Sequence, residues 1–142
     1  MSLKWAGVIL FNRKGELLLL LRDNIPTIGH PDHWNIVGGV IEEGERPEEA
    51  ALREAQEEIG VRLAGVSLFR LYSIGGRGRG KPVPYYVYWS RLDKGLAELT
   101  LGEGQAMRFF PREELSTLRI VPHEVGILQE FLASPYYVYK AS

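Results

Sequence analysis

Eight of the 24 residues between Gly38 and Val61, GGVIEEGERPEEAALREAQEEIGV, are glutamate, and their spacing is the most chemically pointed feature of the chain. Glu54 lies three residues before Glu57 and four before Glu58. On a helix the three carboxylates converge on one patch, where like charges cost roughly a few tenths of a kcal/mol per pair. A divalent cation among them reverses the sign of the local electrostatics. Arg53, four residues before Glu57, is placed to hold part of the cluster. Ahead of the glutamates, Gly38 and Gly39 permit close backbone approach, which lets a carbonyl reach a metal or an amide reach a phosphate. The stretch reads as a metal and pyrophosphate site.

The elements that must position it follow from the same residues. Pro47 suits a first helical position and Gly60 a left-handed helix end, so the spacing predicts a helix from Pro47 to Ile59. Glu48, Ala51, Leu52, Ala55 and Ile59 fall on its inward face, the last four as a narrow apolar stripe for a sheet. Trp5–Phe11 and Glu16–Arg22 flank the turn residues Asn12 to Gly15 and predict a hairpin. The five leucines of its second strand predict burial on both faces, in a sheet covered by helices on both sides. Trp34–Val37, Leu63–Ile74, Val83–Leu92 and Gln105–Phe110 read as further strands. A short helix is expected after Pro111 and a longer one over Pro122–Leu132, while Tyr136–Lys140 is open between an edge strand and a dimer contact.

A glutamate-rich helix taken alone reads as a solvated amphipathic surface, but the wider spacing is far more specific. Gly39, Glu45, Arg53, Glu54, Glu57, Glu58 and Gly60, with Ala55 and Val61 at aliphatic positions, match Gly-x5-Glu-x7-Arg-Glu-U-x-Glu-Glu-x-Gly-U. Seven fixed residues at roughly 7% each coincide by chance on the order of once in 10^8 starts. The chain resembles the Nudix hydrolases, MutT-like members included. Ala55 is smaller than the usual aliphatic residue, and Val37 stands where many relatives have proline.

The resemblance implies an α/β fold, a mixed β-sheet sandwiched between helices, in a single domain over residues 1–142. It implies hydrolysis of a nucleoside diphosphate linked to some group X, assisted by Mg2+ or Mn2+. Carboxylates beside a glycine turn suit magnesium, which takes oxygen ligands together with waters and substrate phosphates. By resemblance the Gly39 carbonyl joins the metal's ligands. Glu57 and Glu58 are the first choices as carboxylate ligands, Glu54 a ligand or base, Glu45 an outer member and Arg53 an orienting residue. Many relatives carry a further glutamate directly before a Met-Arg-aromatic pattern. Here Met107, Arg108 and Phe109 follow Ala106, and Glu103, between Gly102 and Gly104, is the nearest replacement. It reads somewhat more readily as a solvated turn residue.

For phosphate binding the expected residues are Gly38, Arg22 and the basic loop residues Arg77, Arg79 and Lys81, although Arg22 also reads as a plain strand end and the loop as a solvated hairpin tip. His30 and His33, two loop histidines without a third ligand, read as solvated rather than as a zinc site. The sequence strings by which relatives that cleave NADH, ADP-ribose or dinucleoside polyphosphates are often marked are missing around Ile74–Gly80. A nucleoside triphosphate pyrophosphohydrolase is the default. A nucleotide-sugar diphosphatase and a non-catalytic nucleotide sensor are the alternatives.

Composition bounds the partners. The net charge of -1 gives no general attraction to long nucleic acid or acidic membranes, so an anionic ligand must be held by local cations. A small nucleotide is the expected partner, with the chain a monomer or homodimer. No cysteine is present, which excludes disulfides and thiol chemistry and is compatible with the expected cytoplasmic location.

Overall fold

The computed structural model describes residues 2–75 and 80–139. The sheet grows around strand β1 (Trp5–Phe11), whose residues are almost all buried because both faces are covered. It turns into β2 (Leu17–Leu21) through Asn12, whose side-chain oxygen accepts from the amides of Lys14 and Glu16 at 3.0 and 2.9 Å, a local turn that asparagine favours. The two strands share one register pair, Phe11 with Leu17, and then part.

The wedge between them is filled by a split segment. β3 (Trp34–Asn35) pairs with the end of β2, and β4 (Val37–Val40) pairs with the start of β1. Ile36 is the step from one edge to the other, so the single strand expected over Trp34–Val37 is broken there. On its other edge β1 pairs in parallel with β6 (Val83–Arg91), which pairs antiparallel with β5 (Ser67–Ile74). β7 (Ala106–Phe110) completes the mixed seven-stranded sheet against β2. β5 starts at Ser67, later than the expected Leu63.

Helix α1 (Pro47–Ile59) covers one face and helix α2 (Pro122–Leu132) the other, with the bounds the sequence predicts. Ala6, Val8, Leu10, Leu18 and Leu20 pack with Ala50, Ala51, Ala55 and Ile59 of α1. Ile9, Phe11, Leu17 and Leu19 pack with Ile127, Leu128 and Phe131 on the α2 side. The strand period of two sorts the leucine run alternately into these two layers. In α1 the closely packed face uses Ala50 in place of the expected Leu52, which is only half-buried, as is Glu48. Small side chains bring that helix close to the sheet. The turn after Pro111 is a 3-10 helix, Arg112–Thr117.

Of the two readings left open for Tyr136–Lys140, the edge strand is not formed over the described residues, and Lys140 lies outside them. Instead the Tyr137 ring enters the α2-side core, 5.3 Å from Phe11, and its hydroxyl donates to the Gly15 carbonyl at 2.5 Å. Among the described residues no helix is long and apolar enough to cross a membrane.

Two charged side chains are buried among the described residues, Glu58 on α1 and Glu124 on α2. Glu124 accepts from the Ile36 amide at 2.8 Å and from the Tyr85 hydroxyl at 3.1 Å. Burial pushes its carboxyl up to about 7, against the lowering effects of the Ile36 amide, the Tyr85 hydroxyl and Arg22. The fold therefore prefers the neutral acid, a contribution complete below the ordinary carboxylate range and lost as pH rises through about 7. Glu124→Gln carries no such proton. Its stability relative to wild type should grow between pH 5 and pH 8, by on the order of 2 kcal/mol, in urea denaturation without added metal. A difference that stays flat with pH would show that Glu124 titrates as an exposed carboxylate does.

Candidate active site

Arg53 gathers the acidic helix. Its Nε donates to Glu45 Oε2 at 2.8 Å, one terminal nitrogen to Glu54 Oε1 at 2.9 Å and Glu57 Oε2 at 3.1 Å, and the other to the Val40 carbonyl at 2.9 Å. Helix spacing puts Glu57 one turn above the arginine, and the tight turn at Gly44 brings Glu45 back beneath it. Arg53 holds the Glu45 carboxyl below its ordinary range and is itself pushed further up, chiefly by Glu45.

The three clustered glutamates have three different surroundings. Glu57 is exposed and touches the cluster only through Arg53. Glu54 is largely covered, and burial raises its carboxyl in spite of Arg53. Its carboxylate lies against Gly39 so closely that an added Cβ there would come within 2.5 Å of Oε1. Glu58 is 7% exposed and accepts from the Gly38 amide at 2.8 Å. Burial pushes it up to about 8, with nearby Glu54 and Glu103 adding and the Gly38 amide opposing. The helix face read as uniformly acidic is thus divided between water and the sheet.

Glu54, Glu58 and Glu103 line one cavity of about 520 Å³, with Arg22, Gly38 and Gly39. Glu103 reaches it because its turn is laced between two elements. The Gly102 amide donates to the Glu58 carbonyl at 2.9 Å, and the Gln105 amide to the Leu21 carbonyl at 2.8 Å. Gly104 has φ +89 and passes so near the Leu21 carbonyl that a Cβ would meet it at 2.6 Å. The turn glutamate therefore stands with the helix carboxylates even though Ala106 offers none.

Arg53 and the Gly38 amide each engage one oxygen, leaving a second oxygen on Glu54 and on Glu58. Together with the Gly39 carbonyl and Glu103 these are hard oxygen donors of the kind Mg2+ or Mn2+ takes, and a buried carboxyl raised to about 8 gains from a nearby cation. Among the described residues no three acidic or imidazole side chains already converge on one point, so the remaining ligands would be waters and phosphate oxygens.

A second cavity of about 370 Å³ lies on the other side of the same strand. Trp5, Tyr85, His30, His123, Glu124 and Ile36 are among the residues that line it, and it shares Arg22, Asn35, Gly38, Gly39 and Val40 with the acidic one. Trp5 and His123 lie nearly parallel at 5.8 Å, with Tyr85 edge-on to Trp5 at 5.9 Å. Gly7 makes room, since a Cβ there would stand 2.6 Å from the Tyr85 hydroxyl. Arg22, at the junction, is oriented by its Nε donating to the Gly29 carbonyl at 2.7 Å. The loop of Gly29 and His30 is tied down by Gln105, whose side-chain Nε2 donates to the Arg22 carbonyl and to Asp32 Oδ1.

Sequence reading missed this aromatic cavity. Trp5 and Tyr85 read as strand residues and His123 and Glu124 as a helix start. The one signal available was a polar His-Glu pair opening a helix with an apolar face. His30, expected in solvent, lines the cavity and packs edge-on to His33 at 5.6 Å. Lys81 is exposed and lines neither cavity, and Arg77 and Arg79 lie outside the described residues.

The chain is similar to known proteins in sequence and in fold. A chain from Gluconobacter oxydans named RNA pyrophosphohydrolase is 36% identical over 95 residues, covering 58% of this chain and 54% of that one. The present chain thus spans about half of that relative's length. An RNA pyrophosphohydrolase of Cereibacter sphaeroides is 42% identical over 148 aligned positions, 91% of this chain and 87% of the relative. The crystal structure of the MutT protein from Methanosarcina mazei superposes with a TM-score of 0.77 at 20% identity, covering 92% of each chain, a likeness of fold. Since the model of the NUDIX domain matches residues 2–131, with the glutamate helix and the glycine strand inside that span, the chain belongs to the NUDIX domain family.

Proposed function

We propose that this chain hydrolyses the pyrophosphate bridge of a small nucleotide with the help of a divalent metal ion, most simply converting a nucleoside triphosphate to the monophosphate and pyrophosphate. The observation that carries this reading is the shared wall: an aromatic cavity and an acidic cavity meet at Gly38, Gly39 and Arg22. A base stacked among Trp5, Tyr85 and His123 would leave its phosphates on the carboxylate side, with the Arg22 guanidinium between the two.

In the reaction a water oxygen bonds to phosphorus, the bridging P–O bond breaks, and pyrophosphate leaves with the electron pair. Glu54 is our candidate to take the water's proton, since a carboxyl raised by burial is better matched to that task near neutral pH. Glu58, the Gly39 carbonyl and Glu57 would hold the metal, with Glu103 as an additional ligand or base. Mg2+ or Mn2+, when bound, neutralises phosphate charge and lowers the pKa of a coordinated water. Arg53 keeps Glu54 and Glu57 oriented, and Glu45 in turn orients Arg53.

A second reading has one observation in its favour, the names of the two relatives: the triphosphate at the 5′ end of an RNA could occupy the same groove by its first nucleotide. One panel separates these. Deoxy- and ribonucleoside triphosphates, ADP-ribose, ADP-sugars, a dinucleoside tetraphosphate and 5′-triphosphorylated RNA are incubated with Mg2+ and phosphate or pyrophosphate release is followed. Preferred turnover of a free triphosphate supports the first reading and preferred turnover of RNA the second. Tight binding without cleavage of any member would favour the sensor.

Glu54→Gln and Glu58→Gln, which remove charge and keep shape, should each lower kcat by about 10^2- to 10^4-fold with the fold retained. Glu57→Gln tests whether the exposed carboxylate also ligates, and near wild-type turnover in it would confine ligation to the cavity. Millimolar Mg2+ should raise the melting temperature of wild type and raise that of Glu58→Gln less, because the cation binds only the native state. An equal rise in both would remove Glu58 from the metal site.

Arg22→Ala should raise KM by roughly 10- to 100-fold, the loss of one charge-assisted phosphate contact worth ~1.5 to 3 kcal/mol, with a smaller effect on kcat. Steady-state kinetics on the best substrate check this, and unchanged constants would return Arg22 to a strand-end role.

A further inference from the structure

We infer that Glu124 is a positioning residue, whose carboxyl on the Ile36 amide holds the strand that presents Gly38 and Gly39 to the two cavities. The chain must step at Ile36 from the edge of β2 to the edge of β1. An amide at such a step lies between two ladders, and a buried amide without a partner is costly. Here the acceptor comes from a helix 88 residues away in sequence. Two residues on, the Gly38 amide is taken by Glu58 from the helix on the opposite face. One short segment is therefore gripped from both layers, and the segment is the wall that both cavities share.

Direct contact with a ligand is not the role this geometry gives Glu124. It is 4% exposed, one oxygen is held by Ile36 and the other by the Tyr85 hydroxyl. His123 Nε2 stands 3.8 Å from the second oxygen, but burial and nearby His30 hold that imidazole below its ordinary range, so near neutral pH the contact is not an ion pair. Glu124 is among the residues that line the aromatic cavity, but a ligand there meets Trp5, Tyr85 and His123 and finds both carboxyl oxygens already engaged. Glutamine can replace it, since its oxygen accepts from Ile36 and its amide donates to a Tyr85 hydroxyl that turns to accept.

The kinetic arm of the test rests on the hydrolysis reading; the exchange arm does not. Amide hydrogen exchange is followed in labelled wild type, Glu124→Ala and Glu124→Gln, with kcat and KM measured on the nucleotide wild type cleaves fastest. In Glu124→Ala the Ile36, Gly38 and Gly39 amides should exchange at least about tenfold faster relative to those of Val8 and Val87. Turnover should fall about tenfold or more with KM within threefold, and Glu124→Gln should restore both properties. Uniform acceleration across the core, or a raised KM with kcat and the glycine amides unchanged, would overturn the proposal. If Glu124→Ala does not fold, Glu124→Gln decides: wild-type exchange at Gly38 supports the clamp, and faster exchange there refutes it. A wild type that cleaves nothing in the panel sinks the hydrolysis reading and leaves the exchange result to judge Glu124.

Discussion

The ion-pair network of Arg53 is the interaction on which the rest depends. Three carboxylates within a turn and a half of a helix and its preceding loop repel one another, by roughly a few tenths of a kcal/mol per pair at helical spacing. The guanidinium offsets this with several charge-assisted hydrogen bonds, roughly 1.5 to 3 kcal/mol each where shielded and much less at exposed Glu57. The arginine side chain is 23% exposed, so most of the network is shielded. It also donates to the Val40 carbonyl, which ties the helix to the end of the glycine strand. Electrostatic order on the helix and its docking on the sheet are thus one event.

That docking works only because the strand beneath lacks side chains. Val37–Val40 is narrow at Gly38 and Gly39, where a Cβ would strike the Ala6 carbonyl on one side or the Glu54 carboxylate on the other. The glycines let two glutamates reach the backbone, and the small alanines of α1 let the helix come near enough for them to do so. A carboxylate brought this close to a sheet loses water, which is why Glu54 and Glu58 are raised while Glu45, held by the arginine, is lowered. The same packing that covers the core therefore shifts these carboxyls upward, the condition that the proposed proton transfer and cation binding use.

The split of β1 from β2 gives the site its second half. Because the hairpin strands part after one register pair, the returning segment serves both edges and leaves a cavity on each side of the glycine strand. Arg22, at the end of β2, and the Gly29–Asp32 loop close the gap, with His30 and Asp32 at positive φ. The layout is polar, with an aromatic cavity on one side and an acidic one on the other.

The amino-acid sequence by itself determined most of the elements and the acidic cluster of the candidate site. Pro47 and Gly60 mark the helix ends, period-two leucines sort themselves into two layers, and the Gly39-to-Val61 spacing identifies the family, because each of these depends on residues near one another in the chain. What only the tertiary structure decided are relations between distant segments. That Glu58 faces the sheet while Glu57 faces water depends on where the side-chain-free strand passes under α1. That Glu103 joins the cavity depends on its turn being laced to Glu58 and Leu21, and the aromatic pocket needs Trp5, Tyr85 and His123 from three separate elements. The Tyr137 segment, weakly alternating and read as a possible strand, instead anchors one ring in a core made by Phe11 and Phe131. Local periodicity carries no information about which distant neighbour will remove a given side chain from water, and that removal is what sets its chemistry.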